Sequence, residues 1–387
     1  MGRAARRARH NSVLAALALA VVLGALGACS SASSEGDSPA AQGGGGANQG
    51  PVEQMSVRDM VGQMFMISMG GTEPDYYVNK MIRERDIGGV LLFGYNMKSE
   101  AQTASLTGAL QRLSMRTQPS IPLFIAVDQE GGDISSAPWV APQPAPARVG
   151  ARGDPAEARS IAEEMGRQLL EGGVNTDLAP VVDTGFGAAI GTRSFGEDPE
   201  LVSKMGSAAV EGFEAAGVVC AAKHFPNHGA ATSDSHRSLP VVGHDRATLR
   251  SHDLPPFEAA IEAGVPMVMV GHLLYPAIDP QRPASLSPDA VGVLRRELHF
   301  DGVVVTDDLA MVGATGGGTP ARAAVAAAKA GADLLIISSP PQQQADAYDA
   351  VLEAVESGEI PRERIEASVE RILEVKQDYS LEDAGVR

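Results

Sequence analysis

From residue 64 onward, short unbroken apolar runs alternate with longer stretches of helical period. Eight runs read as strands, at 64–67, 89–93, 123–127, 176–179, 218–222, 267–270, 303–305 and 334–337. Runs without polar alternation suit parallel strands covered on both faces. The helices between them carry readable ends. Asp154 followed by Pro155 is an N-cap with proline in the first helical position, and Gly172-Gly173 closes that helix. The alanine-rich stretch 321–330 stops at Gly331, and a last helix from about Pro361 sets Ile365, Val369, Ile372 and Leu373 on one face. Eight βα units predict an α/β protein, a TIM (β/α)8 barrel forming one domain over 53–380. A doubly wound open sheet is the rival and usually stops at fewer strands.

Ahead of the barrel the pattern changes. Arg3, Arg6, Arg7 and Arg9 precede an apolar run over 13–26, too short for a comfortable membrane span, and then Leu26-Gly27-Ala28-Cys29. This predicts a secretory leader over 1–28. A cysteine directly after Leu-Gly-Ala resembles the bacterial lipobox, which implies a diacylglycerol on the Cys29 sulfur and an extracytoplasmic, membrane-anchored protein. Residues 29–52 form the expected tether, rich in Ser, Gly, Ala and Gln, with too little apolar surface to fold. Gly43–Gly46 belongs to it.

The formal charge of −17, or −21 without the four leader arginines, argues against nucleic acid or an anionic membrane surface as a partner. With Cys29 acylated, Cys220 has no partner for a disulfide, and within 218–222 it reads as a small buried hydrophobe. The expected oligomeric state is a monomer.

A TIM barrel places its chemistry at the C-terminal ends of its strands, so reactive polar residues should follow the apolar runs. They do: Asp128 follows the third, Arg193 lies in the loop after the fourth, and Lys223-His224 end the fifth. His272 ends the sixth, Asp307-Asp308 the seventh. The stretch 223–236 holds three of the eight histidines, His224, His228 and His236, with Asp234. Zinc is disfavoured there, because Pro226 and Gly229 break any helix that would pair His224 with His228. Asp234 and His236, two apart in a loop, suit an acid/base pair in which the carboxylate orients the imidazole and raises its basicity. A pair that only pins a loop is the bland alternative. Of Asp307 and Asp308, one is a candidate nucleophile at the barrel mouth and the other braces the next loop; residue order alone does not choose.

Asp128-Gln129-Glu130-Gly131-Gly132, 193–199 (Arg-Ser-Phe-Gly-Glu-Asp-Pro), 223–229 (Lys-His-Phe-Pro-Asn-His-Gly), Asp234-Ser235-His236 and 306–311 occur in that order. Together they resemble the single-domain β-N-acetylglucosaminidases (β-N-acetylhexosaminidases) of glycoside hydrolase family 3, over about 56–375. The resemblance implies Asp307 as nucleophile and His236, held by Asp234, as an unusual acid/base. It implies that Asp128, Arg193, Lys223 and His224 hold sugar hydroxyls in the −1 subsite, and that a retaining mechanism runs through a glycosyl-aspartate. No cofactor and no catalytic metal are implied. The substrates implied are terminal β-linked N-acetylglucosaminides, such as GlcNAc-MurNAc muropeptides in peptidoglycan turnover. The Asp-Ser-His loop is what favours N-acetylglucosaminides over glucosides, since family-3 β-glucosidases bring their acid from elsewhere.

Two positions depart from the family pattern. Asp133-Ile134-Ser135-Ser136 stands where Arg-Val-x-Arg is usual, so Ser136 removes an expected sugar contact worth about 1.5–3 kcal/mol. Trp139, the only tryptophan, either stacks on sugar in its place or wedges a loop. Asn227 stands where glycine is common and is expected to stiffen the neighbouring loop. His272 either lines the pocket or packs, and Gly316-Gly317-Gly318 reads as a turn with no phosphate fingerprint. Two rival functions follow: a phosphorylase, because a histidine acid/base repels phosphate less than a carboxylate does, and a sugar-binding lipoprotein with weakened catalysis.

Overall fold

A computed structural model of the protein describes residues 52–381. The leader, Cys29 and the tether, except Val52, lie outside the described residues. Among those described, no helix is long and apolar enough to cross a membrane.

Ten strands form. Eight are parallel and follow one another around one sheet: β1 (Phe65–Ser68), β2 (Gly89–Leu91), β3 (Phe124–Val127), β6 (Thr176–Asp177), β7 (Val219–Phe225), β8 (Met267–Val270), β9 (Val303–Thr306) and β10 (Leu335–Ile337). β4 (Gln129–Gly131) and β5 (Ile134–Ser135) make a small antiparallel hairpin directly after β3. β10 pairs with β1, and a parallel bridge from Val305 to Leu334 closes the ring between β9 and β10. The result is the TIM barrel expected from the run pattern. All eight barrel strands are buried along their length, which is why their sequences lack alternation.

Helices cover the outside. They include α1 (Tyr76–Arg85), α2 (Glu100–Ser114), α3 (Pro155–Glu171), α4 (Pro199–Ala216), α5 (Pro255–Glu262), α6 (Pro320–Ala330), α7 (Pro341–Glu356) and α8 (Arg362–Asp378). Their ends follow the residues that predicted them. The Asp154 carboxylate accepts from Ala156 N–H at 3.0 Å with Pro155 behind it, and Gly331 ends α6 at φ +113°. On α8, Ile365, Val369 and Ile372 are buried, while Leu373 is only half-buried.

The boundary differences are informative. β7 runs three residues past the predicted 218–222, so Lys223 and His224 lie inside the strand. Here Ala222 pairs with Val268 but Phe225 with Val270, three residues against two. Such a bulge disrupts strict alternation and re-aims side chains. It lets both Lys223 and His224 address the barrel mouth, where a regular strand would send one of two neighbours outward.

Candidate active site

The mouth of the barrel is built around a buried ion cluster. Lys223 Nζ reaches Asp128 Oδ1 at 2.6 Å and Glu130 Oε1 at 2.7 Å. Arg193 clamps Glu130 with Nε and Nη2, both at 2.7 Å. The Glu130 side chain is 1% exposed. Burial raises its pKa, but Lys223 and Arg193 outweigh that and hold it at about 2. Burial likewise opposes the charge on Lys223, yet Asp128 and Glu130 push its pKa above the usual range. Glu130 thus balances two cations and leaves Asp128, about a third exposed, with oxygen free to meet a ligand. The Gly131-Gly132 turn makes this possible: both glycines have positive φ, and a Cβ on Gly132 would stand 2.7 Å from that of Ala145.

A second layer orients the histidines. Asp183, fully buried, accepts from the backbone N–H of His224 (3.2 Å) and of His228 (2.5 Å), and meets His224 Nδ1 at 2.7 Å. Its carboxyl is pushed up by burial, but His224 and His228 bring it below its ordinary value. A carboxylate on Nδ1 sets that nitrogen as donor and turns Nε2 toward the mouth, where Arg193 Nη2 lies 3.5 Å away. His228 packs edge-on to His224 and meets Ser235 Oγ at 2.9 Å.

Ser235, in turn, anchors the loop of the proposed acid/base pair. It is buried, its carbonyl accepts from Gly313 N–H at 3.0 Å, and its neighbours Asp234 and His236 extend outward. Asp234 Oδ1 accepts from His236 N–H at 2.9 Å and meets His236 Nδ1 at 2.8 Å. The structure therefore brings these two together as the two-residue spacing suggested. It does not join them to the ion cluster: the His236 side chain is 70% exposed.

At the tip of β9 the two aspartates separate. Asp308 Oδ1 accepts from Ala310 N–H and Ser338 N–H, each at 3.0 Å, and its other oxygen accepts from the Ser338 hydroxyl. It braces the loops after β9 and β10. Among the described residues Asp307 accepts only from the neighbouring Asp308 N–H, at 2.8 Å, and it is half-buried. Burial raises its pKa, while His272, His224 and Lys223 draw it down to about 2. An ionised carboxylate with an open oxygen at a strand tip is a candidate nucleophile. His272 is fully buried between Ser285 Oγ (2.7 Å) and the Asp308 carbonyl (2.8 Å), so it packs behind the aspartates as well as biasing them.

Three residues of this arrangement were not singled out from the sequence. Glu130 stood inside a quoted motif, and Asp183 follows the apolar stretch 178–182, a signal that extending the fourth run beyond 179 would have turned into a strand-end candidate. Asp177 had no such signal. It lies inside β6, takes Gln129 N–H at 3.0 Å on one oxygen and leaves the other without a partner. Burial pushes its pKa well above the ordinary value, against the opposing pull of the Gln129 N–H and Lys223. Trp139 resolves as a wedge: its Nε1–H donates to the Gln168 carbonyl at 2.8 Å, and its ring lies so close to Gly172 that a Cβ there would be 2.3 Å away. The buried Cys220 packs as the small hydrophobe expected. Outside the mouth, His244, His252 and Asp253 also converge.

A sequence profile described as glycosyl hydrolase family 3 N terminal domain matches residues 56–375. Beta-hexosaminidase A of Pseudoalteromonas piscicida is 36% identical over 337 residues, covering 80% of this chain and 56% of that protein. A beta-hexosaminidase of Stenotrophomonas maltophilia (strain R551-3) is 36% identical over 269 residues, 67% of this chain and 78% of its own. Among solved structures, a glycoside hydrolase family 3 beta-N-acetylglucosaminidase from Paenibacillus sp. str. FPU-7 superposes with a TM-score of 0.83 at 40% identity, covering 85% of this chain and 63% of that one. The chain thus spans a little over half the length of the Pseudoalteromonas relative.

Proposed function

This chain belongs to glycosyl hydrolase family 3, and from that premise we propose that it is a retaining exo-β-N-acetylglucosaminidase acting on peptidoglycan fragments of the GlcNAc-MurNAc type. The observation that carries the reading is the division of labour at the strand tips: an ionised Asp307 with an open oxygen, and a separate Asp234–His236 pair on the loop after β7. In the first step Asp307 attacks the anomeric carbon while the glycosidic C–O bond breaks. His236 delivers its proton to the departing oxygen, and a glycosyl-aspartate forms. In the second, His236 takes a proton from water as it attacks the same carbon and frees the aspartate. Lys223, Asp128, Arg193 and His224 hold the sugar hydroxyls. Because His236 stands in solvent, the loop must fold inward over Ser235 for the proton to reach the bond.

The test uses the purified protein with a chromogenic β-N-acetylglucosaminide, the matching β-glucoside, and each with and without inorganic phosphate. The reading expects turnover of the first substrate, a free reducing sugar whether or not phosphate is present, and loss of activity in Asp307→Asn. Full activity in Asp307→Asn would remove the nucleophile assignment, a sugar phosphate as product would make the protein a phosphorylase, and tight binding without turnover would make it a sugar-binding protein.

The same reading places the protein outside the cytoplasm, anchored through acylated Cys29. Cells fed a labelled fatty acid should label the wild-type chain and not Cys29→Ala. Equal labelling of both would remove the anchor.

A further inference from the structure

We propose that His244, His252 and Asp253 form a binding site for a first-row divalent transition metal, zinc foremost, separate from the catalytic mouth. One ligand atom from each residue lies within 4.8 Å of the other two. His244 Nδ1 is 2.8 Å from Asp253 Oδ2 and His252 Nδ1 is 2.9 Å from Asp253 Oδ1. The two rings stand nearly perpendicular, at 89° with centroids 5.7 Å apart, so both nitrogens converge on one carboxylate without stacking. Tetrahedral zinc with bonds of about 2.0–2.2 Å sets its ligand atoms roughly 3.3–3.6 Å apart. The two nitrogen–carboxylate spacings are shorter by half an ångström or so and the third pair of ligand atoms lies within 4.8 Å, differences that small side-chain rotations supply.

The local backbone explains how neighbours in sequence reach the same point. His252 and Asp253 end a π-helical turn, Leu249–Asp253, whose wider winding departs from α-helical spacing. His244 lies just before Asp245, the N-cap of the short helix that leads into this turn. Asp253 is fully buried, while both imidazoles are about a third exposed, which gives an ion a path from solvent. The carboxylate is also held from behind. Asn227 Nδ2 donates to Asp253 Oδ1 at 2.8 Å, and Asn227 Oδ1 is itself fixed by the N–H groups of Thr184 and Gly229. Outer partners of this kind orient a ligating carboxylate and are worth about 10–100-fold in metal affinity.

The donor chemistry selects the ion. Two imidazoles and one carboxylate, with water completing the set, suit zinc, cobalt, nickel or copper; magnesium and calcium take all-oxygen sets. On binding, each Nδ1 gives its lone pair to the metal, and the proton it carried toward Asp253 is relocated to Nε2 of the same ring. No oxidation or reduction is involved.

The test uses the full chain, stripped of metal with a chelator and titrated with Zn2+ by calorimetry and with Co2+ by visible absorption. A single strong Zn2+ equivalent is expected in the wild type and in His236→Ala. His244→Ala and His252→Asn should weaken it by about tenfold or more, and the Co2+ complex should show the intense visible bands of a tetrahedral site. His252→Asn keeps a donor for Asp253, so a purely structural hydrogen bond would leave its circular dichroism and melting unchanged and predict no loss of metal. Unaltered Zn2+ affinity in both variants, or affinity lost only in His236→Ala, overturns the proposal; the latter outcome would put the metal on the Asp234–His236 pair.

Discussion

At the scale of single residues, the site works through pairs in which one member acts and the other sets its state. Asp183 fixes the ring of His224, Glu130 balances Lys223 and Arg193, and Asp234 orients His236. Asn227 belongs to the same logic, though it touches nothing in the mouth. Its buried amide makes four hydrogen bonds, to Thr184 N–H, the Thr184 carbonyl, Gly229 N–H and Asp253. These bonds tie position 227 to Thr184, Gly229 and Asp253. Asn227→Gly strands these groups in the interior and should cost about 2–4 kcal/mol, read as a lower urea midpoint with an unchanged m-value. A midpoint equal to wild type would mean that water takes over the bonds.

At the scale of elements, the departures from regular geometry put chemistry in place. The bulge in β7 brings Lys223 and His224 to one opening, and the hairpin β4–β5 folds Glu130 back under Arg193. The hairpin leads into the segment that carries Trp139, whose contact is with the end of α3 rather than with the mouth. Trp139→Ala should therefore destabilise the fold by about 2 kcal/mol through lost burial and leave KM for an N-acetylglucosaminide within about twofold. A KM raised tenfold with stability intact would make Trp139 a sugar contact after all.

At the scale of the molecule, barrel closure gathers acids and bases from five strand ends into one low-dielectric mouth, and folding becomes linked to pH. Glu130 falls from an ordinary 4.5 to about 2 in the folded protein. A depressed acid stabilises fully above its unfolded value and loses that contribution as pH falls toward the folded one. Glu130 should therefore contribute roughly 3 kcal/mol above pH 4.5 that disappears toward pH 2, and Asp307 adds in the same direction. Asp177 acts oppositely, since its raised pKa favours the fold at low pH. Urea unfolding at several pH values should show stability falling below pH 4.5, with a shallower fall in Glu130→Gln. Parallel curves for the two proteins would show that Glu130 does not carry the acid sensitivity.

What the sequence determined by itself was local and periodic: eight apolar runs, the caps between them, and the polar residues that follow five of the runs. Those features depend on neighbours three or four positions away and on burial, which residue type encodes directly. They located the barrel, Asp128, Lys223, His224 and the aspartate pair at 307–308. Tertiary structure decided the rest, because it concerned which oxygen meets which nitrogen across the ring. Only there did Asp308 turn to Ser338 and leave Asp307 open, did Asp183 and Glu130 become partners of residues 41 and 63 positions away, and did His244 converge with His252 on a carboxylate that the sequence had given no reason to notice.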